Sequence, residues 1–236
     1  MSSGLVCPTH LNRYCNSSSA SPTTPIASSP IPLPNLTQSL HAQAIRRGAS
    51  QDPFVQTSFL TLYARLGHVP HARDLFDEMP DPCTVACNAM LDGFGRNGDM
   101  GSVIGLFRRM AVRDVVSWTT VINGYVRNGC HAEAIVCFAE MNMMAVVKPN
   151  EATFVGVLSS CSNCGGGGGL YQGKQVHGYI VRNEVELTVF MGTALVDFYG
   201  KMGCLDYAVE VFSRMAVREA FAECKSCVRL CSLRSF

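Results

Sequence analysis

Gly93-Phe94-Gly95-Arg96-Asn97-Gly98 matches the glycine spacing with which a strand-to-helix turn admits a dinucleotide pyrophosphate. That chemistry needs a strand before the glycines and an acidic residue about 20 positions further on. The same slot one period later reads Gly124-Tyr125-Val126-Arg127-Asn128-Gly129, so these glycines belong to a recurring turn. The run Gly165–Gly169 could cradle a phosphate on its backbone N–H groups, but it lacks the Lys-Ser/Thr that follows the last glycine of a P-loop. Two cysteine groups have zinc-like spacing: Cys161-x2-Cys164 followed by His177, and Cys224-x2-Cys227-x3-Cys231. Zinc takes four ligands at tetrahedral geometry. The first group has no second histidine at finger spacing and the second offers only thiols, so no metal and no other cofactor is expected. His10, His41, His68, His71, His131 and His177 fall in the leader, in turns or on outer helix faces, where solvent exposure is the expectation. None sits in a nucleophile, base and orienting-acid arrangement, and no enzyme activity is expected.

The element that positions these residues is clearest in Val115–Asn150. Val115, Trp118, Val121, Ile122 and Tyr125 follow the three-and-four spacing of a helix buried along one stripe. Asn128-Gly129 stops it, because Asn tolerates and Gly favours the left-handed conformation that ends a helix. A second apolar run, Ala134, Ile135, Phe138 and Met141, follows, and Lys148-Pro149-Asn150 closes the unit. This helical hairpin repeats. Gly67, Gly98, Gly129 and Gly203 are separated by 31, 31 and 74 residues. The same separations hold for Tyr63, Phe94, Tyr125 and Tyr199, for Phe76, Phe107, Phe138 and Phe212, and for Met79, Met110, Met141 and Met215. A period in this range built from helical hairpins predicts an all-α solenoid, in which each unit buries its apolar face on its neighbour.

The widest interval contains one more, less regular hairpin. Its helices are expected over 151–161, with Phe154, Val157 and Leu158 inward, and over 172–182, with Val176, Tyr179 and Ile180 inward. Gly165–Gly169 is expected as an exposed, mobile loop between them. A short helical piece over 38–47, stopped by Gly48, precedes the first full unit. Residues 1–37 form a Ser/Pro-rich leader without Asp or Glu, unable to bury enough apolar surface to fold; an organelle transit peptide and a tail without an address both fit. The chain's 12 cysteines, with Cys87, Cys137 and Cys161 inside apolar helix patterns, read as reduced core thiols. A net charge of +1 gives no global pull toward nucleic acid, and no stretch approaches the roughly 18 apolar residues of a membrane span. Residues 220–236 depart from the pattern without a polar capping repeat, which suggests a shortened array.

With these residues in view, the unit VVSWTTVINGYVRNGCHAEAIVCFAEM closing on KPN closely resembles the pentatricopeptide repeat of plant organelle RNA-binding proteins. The alternation of a long unit with 31-residue units resembles the PLS subclass. Units 53–83, 84–114 and 189–219 look like short units, 115–150 like a standard unit and 151–188 like a long one, with 38–52 a partial repeat. The resemblance implies a right-handed superhelical solenoid that binds single-stranded RNA, one base per unit, through the fifth and last residue of each.

Carried over by position, Asn88 with Asp114 would read uracil and Thr119 with Asn150 adenine. Thr57, opposite Cys83, keeps only a purine preference. Thr193, opposite Glu219, leans toward guanine, and Val155 cannot hydrogen-bond, so its base goes unread. Second-position residues Val85, Val116 and Phe190 would stack on bases, with Phe54 and Ala152 less well suited. The expected target is purine-U-A-any-purine. The resemblance also implies a mitochondrial or chloroplast location, the mitochondrion preferred, and a role in RNA modification, above all selection of C-to-U editing sites. The expected partners are single-stranded organellar RNA and an editing deaminase or another repeat protein in trans, with no membrane and no DNA. Cys224 and Cys227 lack the upstream His-x-Glu of a deaminase core, so the chain itself is expected to be non-catalytic. The alternative is a helical scaffold that binds a protein partner without RNA.

Overall fold

The computed structural model describes residues 34–49, 52–144, 147–164 and 168–215. His10 and most of the leader, Gly165–Gly167, Glu219, the Cys224, Cys227 and Cys231 group and the 220–236 tail lie outside the described residues. The chain divides into two compact units, Met1–Arg113 and Asp114–Phe236. The first contains α1 (Pro34–Arg46), α2 (Pro53–Arg65), α3 (Val69–Asp77), α4 (Thr84–Arg96) and α5 (Met100–Arg109). The second contains α6 (Val115–Arg127), α7 (His131–Met143), α8 (Glu151–Asn163), α9 (Gly168–Arg182), α10 (Val189–Lys201) and α11 (Leu205–Arg214). No strand occurs among the described residues, as the all-α reading requires.

The pairs α2–α3, α4–α5, α6–α7 and α10–α11 each turn on a glycine at positive φ: Gly67 at 79°, Gly98 at 82°, Gly129 at 72° and Gly203 at 72°, with Gly48 at 71° ending α1. Nothing lies within 4 Å of a Cβ built on Gly48, Gly67, Gly129 or Gly203, so backbone conformation and not space selects glycine there. The residue after each pairing turn donates its N–H to the aromatic column's carbonyl: His68 to Tyr63 at 2.9 Å, Asp99 to Phe94 at 3.0 Å, Cys130 to Tyr125 at 2.9 Å and Cys204 to Tyr199 at 2.9 Å. This is the six-to-one closure that satisfies orphan carbonyls at a helix C-terminus.

Within each unit the first helices of successive hairpins lie against one another, α2 on α4, then α6 on α8 and α8 on α10. Their apolar stripes supply most of the core: Leu60, Met90 and Leu91 in the first unit, Val121, Ile122, Phe154, Leu158 and Leu195 in the second, all 1% exposed or less. Phe138, Phe154 and Tyr179 tie α7, α8 and α9 together, with ring centroids 5.9 to 6.5 Å apart. Cys87, Cys137 and Cys161 are buried free thiols, and burial pushes Cys161 up to about 12.

Three expectations change. The helix before Gly48 starts at Pro34, so α1 takes in the end of the segment assigned to the leader, and Thr37 within it is buried. The glycine-rich loop is shorter than expected, because α9 begins at Gly168. Gly169 is buried there, and a Cβ on it would meet the carbonyl oxygen of Cys161, so only glycine lets the two helices approach so closely. His41 and His177 do not stand free in solvent. Their Nδ1 atoms lie 3.2 Å from the Tyr63 hydroxyl and 2.8 Å from the Tyr199 hydroxyl, each across 22 residues of chain.

Candidate nucleic-acid interface

The first helix of every hairpin begins with a capping residue, and the caps organise the surface. Asp52 accepts N–H bonds from Phe54 and Val55 at 2.8 and 3.3 Å. Asp114 Oδ1 accepts from the N–H and hydroxyl of Ser117 at 2.7 and 2.8 Å. Asn150 Oδ1 accepts both from Thr153 at 2.9 Å, and the Thr188 hydroxyl accepts from Met191 N–H at 3.3 Å. Cys83, the cap of α4, makes no side-chain cap bond. A side-chain oxygen here satisfies one of the N–H groups that a helix start leaves unpaired. The last residue of each hairpin is thus held at the mouth of the next hairpin's first helix.

Two residues into these helices stand Phe54, Val85, Val116 and Phe190, with 81%, 64%, 48% and 69% of their surface exposed. Ala152 occupies the same slot on α8 and is also exposed. Large apolar side chains are thus exposed at one register in each unit, and aromatic faces such as Phe54 and Phe190 suit planar ligands. In the first unit Phe54 and Val85 flank a groove of about 700 Å³ that also takes in Thr57, Cys83 and Arg65.

One turn in come Thr57, Asn88, Thr119, Val155 and Thr193. Thr57 Oγ1 donates to Pro53 O at 2.7 Å and Thr193 Oγ1 to Val189 O at 2.8 Å, so both hydroxyls have spent their proton and offer lone pairs. Thr57 lies 4.0 Å from Cys83 Sγ, where the thiol is left as the donor. Thr119, 7% exposed, lies 2.6 Å from Thr153 Oγ1 and 3.4 Å from Asn150 Oδ1. The fold therefore brings together Thr57 with Cys83 and Thr119 with Asn150. Asn88 sits on α4, 9% exposed, and Asp114 caps α6 in the other compact unit. Thr193 is half-buried on α10.

The other end of each first helix carries a cation: Arg65, Arg96, Arg127 and Lys201 stand in the last turns of α2, α4, α6 and α10. Positive charge there complements the helix dipole. Arg96 and Lys201 pair at 2.7 Å with Asp92 and Asp197 one turn back. Reading the sequence by its apolar columns missed this row, although its separations of 31, 31 and 74 residues repeat those of the turn glycines. It missed Thr153 too, whose only signal is a Thr three residues after an Asn at a helix start. Among the described residues no group of three or more His, Cys, Asp or Glu could hold a metal, and no helix is long and apolar enough to cross a membrane.

Fold and surface together define a helical-hairpin repeat protein whose first helices, α8 with Ala152 and Val155 apart, carry a large apolar and a polar side chain at fixed register. The PPR repeat family model matches residues 113–163 and the PPR repeat model matches 57–81, 85–115 and 193–219. The chain belongs to the PPR, or pentatricopeptide repeat, family. It is 50% identical over 185 residues to the putative pentatricopeptide repeat-containing protein At1g10330 of Arabidopsis thaliana, covering 78% of this chain and 39% of that protein. It is 38% identical over 215 residues to the pentatricopeptide repeat-containing protein At1g04840 of the same plant, covering 76% of this chain and 32% of that protein. The chain thus spans well under half the length of these relatives. Its fold is similar to that of the pentatricopeptide repeat protein PPR10 from maize, with a TM-score of 0.59 at 21% identity over 78% of this chain and 27% of that one. PPR10 in complex with an 18-nt psaJ RNA element gives a TM-score of 0.61 at 20% identity over 75% of this chain and 26% of that one.

Proposed function

We propose that this chain is a non-catalytic recognition segment for single-stranded RNA. It reads purine-U-A-any-purine through Thr57, Asn88 with Asp114, Thr119 with Asn150, and Thr193, taking 53–83, 84–114, 115–150, 151–188 and 189–219 as its units. Val85, Val116 and Phe190 are the stacking contacts, and Phe54, the most exposed of the row, joins them. The observation that carries the reading is the meeting of fifth and last residues, Thr119 Oγ1 at 3.4 Å from Asn150 Oδ1, beside exposed apolar side chains at second positions. An unstacked base needs such a face to stack on and polar atoms at its edge.

The repeat alternation supports assigning the chain to the PLS subclass, and with it an organellar role in RNA modification: choosing C-to-U editing sites for a deaminase or another repeat protein supplied in trans. A relative 28% identical over 183 residues, At2g02980, is named as chloroplastic, which supports an organelle as the location. Retardation of RUANR oligonucleotides (R, purine; N, any base) at two salt concentrations tests the reading. Binding that weakens as salt rises, and weakens again in Asn88→Ala and Thr119→Ala, is expected. Absence of retardation at low salt refutes it and leaves a protein-binding scaffold.

A further inference from the structure

Thr153 is the third residue of α8, is 0% exposed and cannot reach a ligand, yet its hydroxyl lies at the centre of the Thr119–Asn150 pair. Its Oγ1 donates to Asn150 Oδ1 at 2.9 Å, accepts from Asn150 N–H at 3.3 Å and lies 2.6 Å from Thr119 Oγ1. A hydroxyl has one proton. Thr153 gives its proton to Asn150, so in the 2.6 Å contact Thr119 is the donor.

Two orientations follow. Asn150 Oδ1 is held by both the N–H and the O–H of Thr153, so the amide cannot flip and its Nδ2 is the group left for a ligand. The Thr119 proton points inward, and its remaining lone pair is left for the ligand. The pair thus offers an acceptor beside a donor. Adenine's Watson–Crick edge has the complementary order, the N6 amino donor beside the N1 acceptor. Guanine has the reverse, O6 accepting beside N1–H donating.

We propose that Thr153 is a positioning residue for base choice: it fixes the donor and acceptor polarity of the Thr119–Asn150 reader and so selects adenine over guanine. The proposal rests on the RNA reading above. Without the Thr153 hydroxyl, Thr119 loses the 2.6 Å acceptor that turns its proton inward and Asn150 Oδ1 is held by the Thr153 N–H alone, so the polarity of the pair is fixed less firmly and discrimination against guanine weakens.

The test measures dissociation constants for four oligonucleotides that differ only at the third base of RUANR, with the full chain, Thr153→Val and Thr153→Ser. The guanine-to-adenine ratio of constants is expected to fall about five-fold or more in Thr153→Val, the equivalent of one neutral hydrogen bond, and to stay within about two-fold of the original in Thr153→Ser. Should Thr153→Val fail to fold, Thr153→Cys replaces it, since a thiol of similar size is a weak donor, and the same fall is expected. Equal weakening toward all four bases with the ratio preserved overturns the proposal, because Thr153 is then only a cap partner. A wild-type chain that binds RNA without base preference, or not at all, refutes the RNA reading itself and this proposal with it; an adenine preference that survives in Thr153→Val refutes this proposal alone.

Discussion

Asn150 divides its work between two atoms: Oδ1 closes the N-terminus of α8, and Nδ2 is left for a ligand. Asp114 caps α6 in the same way, its Oδ1 receiving both Ser117 donors. In the proposed RNA reading one side chain of Asn150 serves both purposes, so a change there is expected to alter stability and base choice together. Cys83 shows the cost of losing a cap. It stands at the head of α4 without a cap bond and offers Thr57 only a thiol. Cys83→Asp is expected to stabilise the chain by about 1 kcal/mol and to turn the first position's purine preference toward guanine. Urea unfolding and oligonucleotide binding check the two halves; an unchanged or lowered stability would contradict the capping argument.

Between helices, the two histidine–tyrosine contacts tie α1 to α2 and α9 to α10. The ring of Tyr199 also stacks on Tyr207 of α11 at 5.2 Å. Burial, aided by Arg214 and opposed by Glu210, lowers the pKa of His177. The folded chain therefore resists protonation there while the unfolded chain takes up a proton near 6.5. Stability is expected to fall as pH drops below that value, and to fall less in His177→Gln. Burial, chiefly, raises Tyr199 to about 12, so its contribution is complete below the ordinary tyrosine value near 10 and is lost as pH rises from there through 12. Urea unfolding across pH reads both limbs, and an acid limb identical in wild type and His177→Gln would contradict the assignment. The end of α9 differs from the ends of α1, α2, α4, α6 and α10. Glu184 stands at φ 51°, where the other turns use glycine, and Val185 N–H still closes onto Ile180 O at 3.0 Å. Glu184→Gly is expected to raise stability by roughly 1 kcal/mol. A lowered melting point would contradict this.

Across the molecule, the recurring turns and apolar columns were legible in the sequence, whereas contacts that depend on how closely two particular helices approach were not. The turn glycines, the aromatic column before them and the inward stripes of α6 and α8 follow from periodicity alone, because each is the same physical demand met several times. Gly169 packed on Cys161, the 22-residue histidine–tyrosine contacts and the Thr153 hydroxyl depend on a single close approach between helices, which no period encodes. The polar reader positions came from family resemblance; their local geometry came from the fold. A near-neutral chain of few units is expected to bind RNA weakly, with an affinity that drops as salt rises.

The most direct test compares the full chain with Asn150→Asp on RNAs carrying each base at the third position of RUANR. Asp caps a helix as well as Asn does, so α8 keeps its start while the ligand meets an oxygen acceptor instead of an N–H donor. The account predicts that adenine preference moves to guanine, whose N1–H the carboxylate accepts. A preference that stays on adenine, or that is absent from both proteins, would contradict it.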